Sequence, residues 1–348
     1  MDQLTFNHEQ ILNRGRGFTY NDVLITPNKS EMRSRRDPEL SSQLTKNHKI
    51  DLPFISANMD TITEAPMATG MDELGGFGII HRFMTIEEQV NEVKKVKDSG
   101  AKLIGTSIGV GVETKERAQA VVDAGANILT IDIAHGHSVQ MLETLTWLKQ
   151  EYPNIDVIAG NVATPEGTLD LIEAGADAIK VGIGPGSMCT TRIITGCGVP
   201  QLTAVAMCYQ VAKEKNIPII ADGGIKKSGD IVKAFAAGAS TVMLGSILAG
   251  TIETPGLIQH GHKLYRGMAS RSAQDSWRGG VPTGMAPEGE STKVPVKGHL
   301  SDVVNELAGG LRSGMTYINA TTLDEIKERA RFMEMSPMGF SESTAHGL

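Results

Sequence analysis

Short, apolar, β-branched runs alternate along the chain with stretches whose apolar positions recur at helical spacing. The runs are Pro53–Met59, Gly76–His81, Leu103–Ile108, Ile128–Ile133, Val157–Val162, Ala178–Ile183, Pro218–Gly223 and Thr241–Gly245. Between them lie amphipathic stretches such as Thr85–Lys97, Lys115–Ala124 and Pro165–Ala174. Runs this short and continuously apolar fit strands buried on both faces, and the spacing between them fits crossover helices. Eight such units predict an α/β fold, a closed (β/α)8 TIM barrel of parallel strands. An open doubly wound sheet would carry Gly-x-Gly-x-x-Gly after its first strand, and no such motif opens this chain.

The rhythm breaks between Thr251 and Lys297, where Gly256, Gly261, Gly267, Gly279, Gly280, Pro282, Gly284, Pro287 and Gly289 crowd together. Long loops in compact domains are usually lids or disordered, and this one follows the eighth strand, within reach of the barrel mouth. The expected organisation is one barrel domain over 1–348. It has an N-terminal extension over 1–50, a long lid loop at about 251–297 and a C-terminal tail at about 332–348.

Barrel enzymes place their chemistry on the loops at the C-terminal ends of the strands. Asn58-Met59-Asp60-Thr61 follows the first strand, Asp132 to His137 the fourth, Asp222-Gly223-Gly224 the seventh and Gly245-Ser246 the eighth. The last two occupy the usual phosphate position, where glycines let amide N–H groups approach an anion and Ser246 can donate. Asp222 is either a turn residue or a carboxylate for the vicinal hydroxyls of a ribose. Asp132 is a functional candidate, since Ser138 is better placed to cap the next helix. His135 and His137 lack a clear third ligand and read as surface or supporting histidines rather than a metal pair.

After the sixth strand comes Gly-Ile-Gly-Pro-Gly-Ser-Met-Cys-Thr-Thr-Arg, Gly182 to Arg192. Such a loop can present Cys189 as a nucleophile, aim amides at developing negative charge and add positive potential from Arg192. The other reading of Cys189 is a small buried hydrophobe. In the lid, Tyr265 to Ser270 offers amides and a flat apolar surface for a base, and Glu288 is the leading carboxylate beside Asp275 and Glu290.

Composition narrows the classes. A net charge of −7 and a pI near 5.8 argue against nonspecific nucleic-acid binding. No apolar run is long enough to span a membrane. The start Met-Asp-Gln-Leu-Thr-Phe-Asn-His lacks the pattern of a secretory signal. Three cysteines, Cys189, Cys197 and Cys208, form neither a disulfide framework nor a zinc pattern, so a cytoplasmic location is expected.

The cysteine loop, Ala-Asp-Gly-Gly-Ile, Met-Leu-Gly-Ser, Tyr-Arg-Gly-Met-Ala-Ser and Gly-Gly-Leu-Arg-Ser-Gly-Met-Thr-Tyr together resemble the IMP dehydrogenase and GMP reductase family, from about Thr19 to Met335. The resemblance implies a homotetramer of barrels in which Cys189 attacks C2 of a purine nucleotide to give a covalent thioimidate. It implies nucleotide contacts at Met59, Ser187, Asp222, Gly223, Gly224, Gly245, Ser246, Gly267, Met268 and Ala269. A nicotinamide cofactor is implied at Arg82, Asp132, Ile133, Ala134, Ile183, Gly184, Ser313 and Thr316. A monovalent cation such as K+ is implied at Gly184, Gly186, Cys189 and Arg192.

Between the branches, the resemblance points to the reductase: GMP converted to IMP and ammonia with NADPH. No regulatory CBS module interrupts Lys97-Asp98-Ser99-Gly100-Ala101, and the lid from Arg271 to Pro287 holds no tyrosine to pair with an arginine in water activation. Thr191 and Glu288 match the pair that serves ammonia release in reductases. Ser34 and Arg35 match a reductase segment at the extra phosphate of NADPH, although a basic run such as Arg33 to Arg36 also suits a solvated surface. Three positions depart from the reductase pattern. Arg82 stands for a lysine, Met285 stands for an arginine, and Ala134-His135-Gly136-His137 reads like the dehydrogenase branch. The alternatives are an IMP dehydrogenase lacking the CBS module and a catalytically silent purine-nucleotide-binding protein.

Overall fold

The computed structural model describes residues 4–343 and residue 345. Eight strands are named here β1 Phe54–Ser56, β2 Phe77–Ile80, β3 Gly105–Ile108, β4 Ile128–Asp132, β5 Asp156–Val162, β6 Ala178–Val181, β7 Ile219–Asp222 and β8 Thr241–Leu244. Every neighbouring pair is parallel, and β8 pairs with β1, so the sheet closes as the apolar runs predicted. All residues of β2, β3, β5, β6 and β8 are buried, the pattern expected of strands with a core on one side and helices on the other.

Local signals set the helix boundaries. α1 (Ala65–Glu73) and α2 (Ile86–Asp98) follow β1 and β2, and α2 begins at a capping box in which Thr85 and Glu88 satisfy each other's backbone amides. α3 (Thr114–Ala124) ends at Gly125 in the left-handed region. α4 (Val139–Glu151) is capped by Ser138, whose side chain accepts from Met141 N, which frees Asp132 from that role. α5 (Pro165–Glu173) starts with proline after the Thr164 cap. α6 (Thr191–Thr195) and α7 (Gln201–Ala212) follow β6, and α8 (Ser228–Ala236) follows β7.

The N-terminal extension closes the far end of the barrel. Its hairpin Ser42–Gln43 and Lys49–Ile50 reaches the strand beginnings: Ser42 Oγ donates to Ser240 O, Lys46 N to Asp177 O, and Asn47 Nδ2 to Asp156 Oδ1. Further out, Thr5–Phe6 and Val23–Ile25 flank Phe332–Glu334 in a small antiparallel sheet. Extension and tail are therefore one structure, joined by the Phe6, Phe18 and Phe332 rings.

The expected lid loop is more ordered than its glycines suggested. β9 (His262–Arg266) and β10 (Ser291–Pro295) form an antiparallel hairpin, with α9 (Arg271–Arg278) inside the excursion between them. α10 (Leu300–Ile318) and α11 (Leu323–Arg329) then pack on α8, and α12 (Pro337–Glu342) lies in the tail.

Candidate functional site

A cleft of about 520 Å3 opens where the C-terminal ends of the strands meet the lid excursion. It gathers Cys189, Thr191 and Glu288 with Met59, Ser187, Asp222, Gly223, Gly224, Gly245, Ser246, Gly267, Met268 and Ala269. Arg82, Asp132, Ile133, Ala134, Ile183, Gly184 and Gly186 line it as well. Residues picked from eight separate segments thus converge on one cavity.

Cys189 sits on the loop between β6 and α6, half-buried, with its N–H donating to Gly186 O at 3.1 Å. Its thiol donates to Thr191 Oγ1 at 3.2 Å, and Thr191 Oγ1 donates to Glu288 Oε2 at 2.7 Å. The lid holds Glu288 there by backbone pairing on both sides. Thr190 N donates to Glu288 O at 3.1 Å, Glu288 N to Ala269 O at 3.0 Å and Glu290 N to Met188 O at 2.9 Å. Thiol, hydroxyl and carboxylate form one chain along which a proton can pass.

The anion end is built differently. Gly223 and Gly224 have φ of 95° and 82°, left-handed values that favour glycine, and a Cβ on Gly223 would come within 2.9 Å of Pro185 and 3.1 Å of Gly186 N. Ser187 Oγ lies 3.1 Å from Tyr265 Oη, and burial raises the Tyr265 pKa, with Ser187 and Ser246 opposing as hydrogen-bond partners. This hydroxyl-rich corner of Ser187, Ser246 and Tyr265 beside exposed amides suits a phosphate. Tyr265 belongs to the lid motif, but nothing in that motif singles out its hydroxyl.

A buried lysine also escaped the sequence reading. Lys180 on β6 is 2% exposed, and its Nζ donates to Asp132 Oδ1 at 2.7 Å, to Asp222 Oδ2 at 2.9 Å and to Asn161 Oδ1. Burial disfavours its charge, yet the two carboxylates outweigh that and raise its pKa. Burial likewise opposes ionisation of Asp132, and Lys180 with Arg82 overcomes it, lowering the Asp132 pKa. A lone cation inside an otherwise apolar, fully buried strand was the available signal.

Arg192 does not line the cleft. Its Nε donates to Ile183 O at 3.1 Å and its Nη2 to Val199 O, so the guanidinium ties the loop down instead of facing the thiol. The carbonyls of Ile183 and Val199 account for the difference, because a loop with few side chains has few other ways to satisfy them. Ser34, Arg35, Ser313 and Thr316 also lie outside the cleft of their own chain. The first two belong to a turn in which Ser34 N donates to Asp37 Oδ2, and the others to α10. That segment runs along the end of α10, where Asn28 N donates to Tyr317 O. His135 is exposed and His137 pairs with Asp170 at 2.7 Å, as surface and supporting residues would. Among the described residues no cluster of His, Cys, Asp and Glu could hold a metal, and no helix is long and apolar enough to cross a membrane.

The remaining wall comes from the lid. Trp277 and Arg278 of α9 face Arg82 and Phe83: the Phe83 and Trp277 rings meet edge-on at 5.3 Å, and Arg278 lies 4.9 Å from the Trp277 ring centre. Arg82 Nε and Trp277 Nε1 are buried with no hydrogen-bond partner among the described residues. Two orphaned donors at the Asp132 end of a cleft suit a ligand rich in acceptors.

Comparison with known proteins adds three findings. The model of the IMP dehydrogenase / GMP reductase domain matches residues 17–346. An inosine-5'-monophosphate dehydrogenase of Cryptosporidium parvum is 44% identical, the match covering 97% of this chain and 96% of that protein, and one from Nitrosopumilus maritimus is 36% identical over 95% and 98%. Among solved structures, a cysteine-to-alanine variant of GMP reductase from Trypanosoma brucei, in complex with guanosine 5'-monophosphate, superposes with a TM-score of 0.90. It shares 33% identity and covers 95% of this chain and 98% of its own.

Proposed function

The chain belongs to the IMP dehydrogenase / GMP reductase family of nicotinamide-dependent oxidoreductases, and we propose that it is the reductase, converting GMP to IMP and ammonia with NADPH. The observation that carries this reading is the Cys189–Thr191–Glu288 chain beneath a lid whose segment from Arg271 to Pro287 holds no tyrosine. The nucleotide's phosphate is assigned to Ser187, Gly223, Gly224, Gly245, Ser246 and Tyr265, its ribose hydroxyls to Asp222, and its base to Met59, Gly267, Met268 and Ala269.

Attack on C2 needs the thiolate, and the thiol proton has a path through Thr191 to Glu288. The S–C2 bond forms, and the proton returns along the same path to the amine, which leaves as ammonia. Bound at the Asp132 end of the cleft, NADPH would supply a hydride to C2; loss of the C2–S bond would then release IMP and return Cys189 to the thiolate. The lid would exclude water while the thioimidate exists, and among the described residues Glu288 is the one carboxylate in the chain of hydrogen bonds from the thiol.

Arg82, Asp132, Ile133, Ala134, Ile183 and Gly184 are assigned to the nicotinamide end of the cofactor, where the orphaned donors of Arg82 and Trp277 fit its acceptors. Ser34, Arg35, Ser313 and Thr316 lie outside their own cleft, so their contact with the cofactor would come from a neighbouring copy in a homotetramer. The carbonyls of Gly184, Gly186, Cys189 and Arg192 are assigned to a monovalent cation, K+. Those of Gly186 and Arg192 each accept one amide hydrogen bond and keep a second lone pair, which suits such an ion.

A second reading, IMP oxidised by NAD and water to XMP, is favoured by the names of the curated relatives. Purified protein incubated with GMP plus NADPH, and separately with IMP plus NAD, decides between them. The proposal expects falling NADPH absorbance and IMP in the first mixture. NADH and XMP from the second, with no turnover in the first, would establish the dehydrogenase.

A further inference from the structure

Among the described residues, Lys180 is the one side chain hydrogen-bonded to both Asp132 and Asp222, at the two ends of the cleft. Its Nζ reaches Asp132 at the end of β4 and Asp222 at the end of β7, while Asn161 from β5 donates through Nδ2 to the same Asp222 Oδ2 at 2.9 Å and to Gly182 O at 2.8 Å. Four neighbouring elements of the barrel thus meet at one ammonium group. With Oδ2 of Asp222 occupied twice, Oδ1 is left as the acceptor for a ligand. Asp132 is similarly held through Oδ1.

One cation between two carboxylates is a shared resource. A change in the charge or hydrogen bonding of one carboxylate alters how strongly the ammonium is drawn to the other, and burial keeps water from screening that exchange. We propose that Lys180 is a positioning residue that couples the nucleotide and cofactor ends of the cleft, so that nucleotide affinity depends on Asp132, which the nucleotide does not touch. The proposal rests on the placement of the ribose at Asp222 and of the cofactor at Asp132.

The test is calorimetric titration of the protein with GMP and with IMP, which share the ribose 5'-phosphate and so make the result independent of the branch. Asp132→Asn leaves Asp222 as the one carboxylate on Lys180 and is expected to weaken nucleotide binding by at least about threefold. Adding Lys180→Met removes the link while the double variant keeps the wild-type net charge of the cluster, and in that background the Asp132→Asn effect is expected to fall within about 1.5-fold. Lys180→Arg keeps the cation and is expected to keep the coupling. The same Asp132 effect with and without Lys180, or no effect with it, overturns the coupling. Asp222→Asn serves as the control: unchanged nucleotide affinity there would overturn the ribose placement itself, whereas weakened binding with a silent Asp132 would overturn the coupling alone.

Discussion

Thr191 Oγ1 donates to Glu288 Oε2 across 2.7 Å, although 97 residues separate the two in sequence. One sits at the start of α6 and the other on the lid segment whose next residue, Gly289, bridges to Cys189. The lid therefore contributes a functional group in addition to covering the cleft.

Glu288→Gln is expected to separate the two half-reactions. The amide keeps the shape and one hydrogen bond to Thr191 but cannot deliver a proton to the departing amine, whereas Cys189 can still lose its proton to solvent and attack. GMP reduction should slow by about 100-fold or more, within the usual range for a lost acid–base group. Formation of NADPH from IMP and NADP should persist, because that half-reaction expels no amine. Equal losses in both would show that Glu288 only shapes the site.

Cys189→Ala is expected to abolish turnover while nucleotide affinity stays within about tenfold, because the ribose and phosphate contacts do not involve the sulfur. Calorimetry and a product assay on the same preparation check both parts. Measurable turnover by the variant would remove Cys189 as the nucleophile.

Ser246→Asp should weaken nucleotide binding by about 100-fold or more, since it replaces a donor by a carboxylate next to a phosphate in a confined corner. The affinity for the free nucleoside should change far less. Equal losses for nucleoside and nucleotide would place the phosphate elsewhere.

The three thiols should differ in reactivity. Burial pushes the Cys208 pKa up to about 12, so at pH 8 its thiolate fraction is only about one in ten thousand. Iodoacetamide near neutral pH is expected to modify exposed Cys197 and half-buried Cys189 but spare Cys208, with GMP protecting Cys189 alone. Since the folded pKa is the higher one, Cys208 labelling should rise only toward pH 12. Peptide mass spectrometry reads each site, and prompt labelling of Cys208 at neutral pH would contradict its burial.

How far the sequence could be read depended on how local each signal was. The eight strands were legible because full burial on both faces wrote continuous apolar runs, and the observed β4 and β6 begin at the predicted residues. β9 and β10 left no such mark: β9 alternates exposed and buried positions with Lys263 among the buried ones, β10 is mostly exposed, and turn formers dominate around both. α9 buries only Ala273 and Gln274 and has no apolar stripe to display. Lys180 was hidden for the opposite reason, a charge inside a run read for its hydrophobicity. Arg192 was assigned to the thiol because sequence proximity suggested it, whereas its guanidinium turns back to its own loop. For Ser34 and Thr316 the limit was one of scale, since one chain shows only that they stand apart from its own cleft.

Gly289 bridges to both Cys189 and Ser270. Its neighbour Glu288 is therefore held against Thr191 by the same backbone contacts that seat the lid on the cysteine loop. In the proposed mechanism, displacing that segment from the mouth would remove the group that takes the thiol proton, so access to the sulfur and its activation would oppose each other.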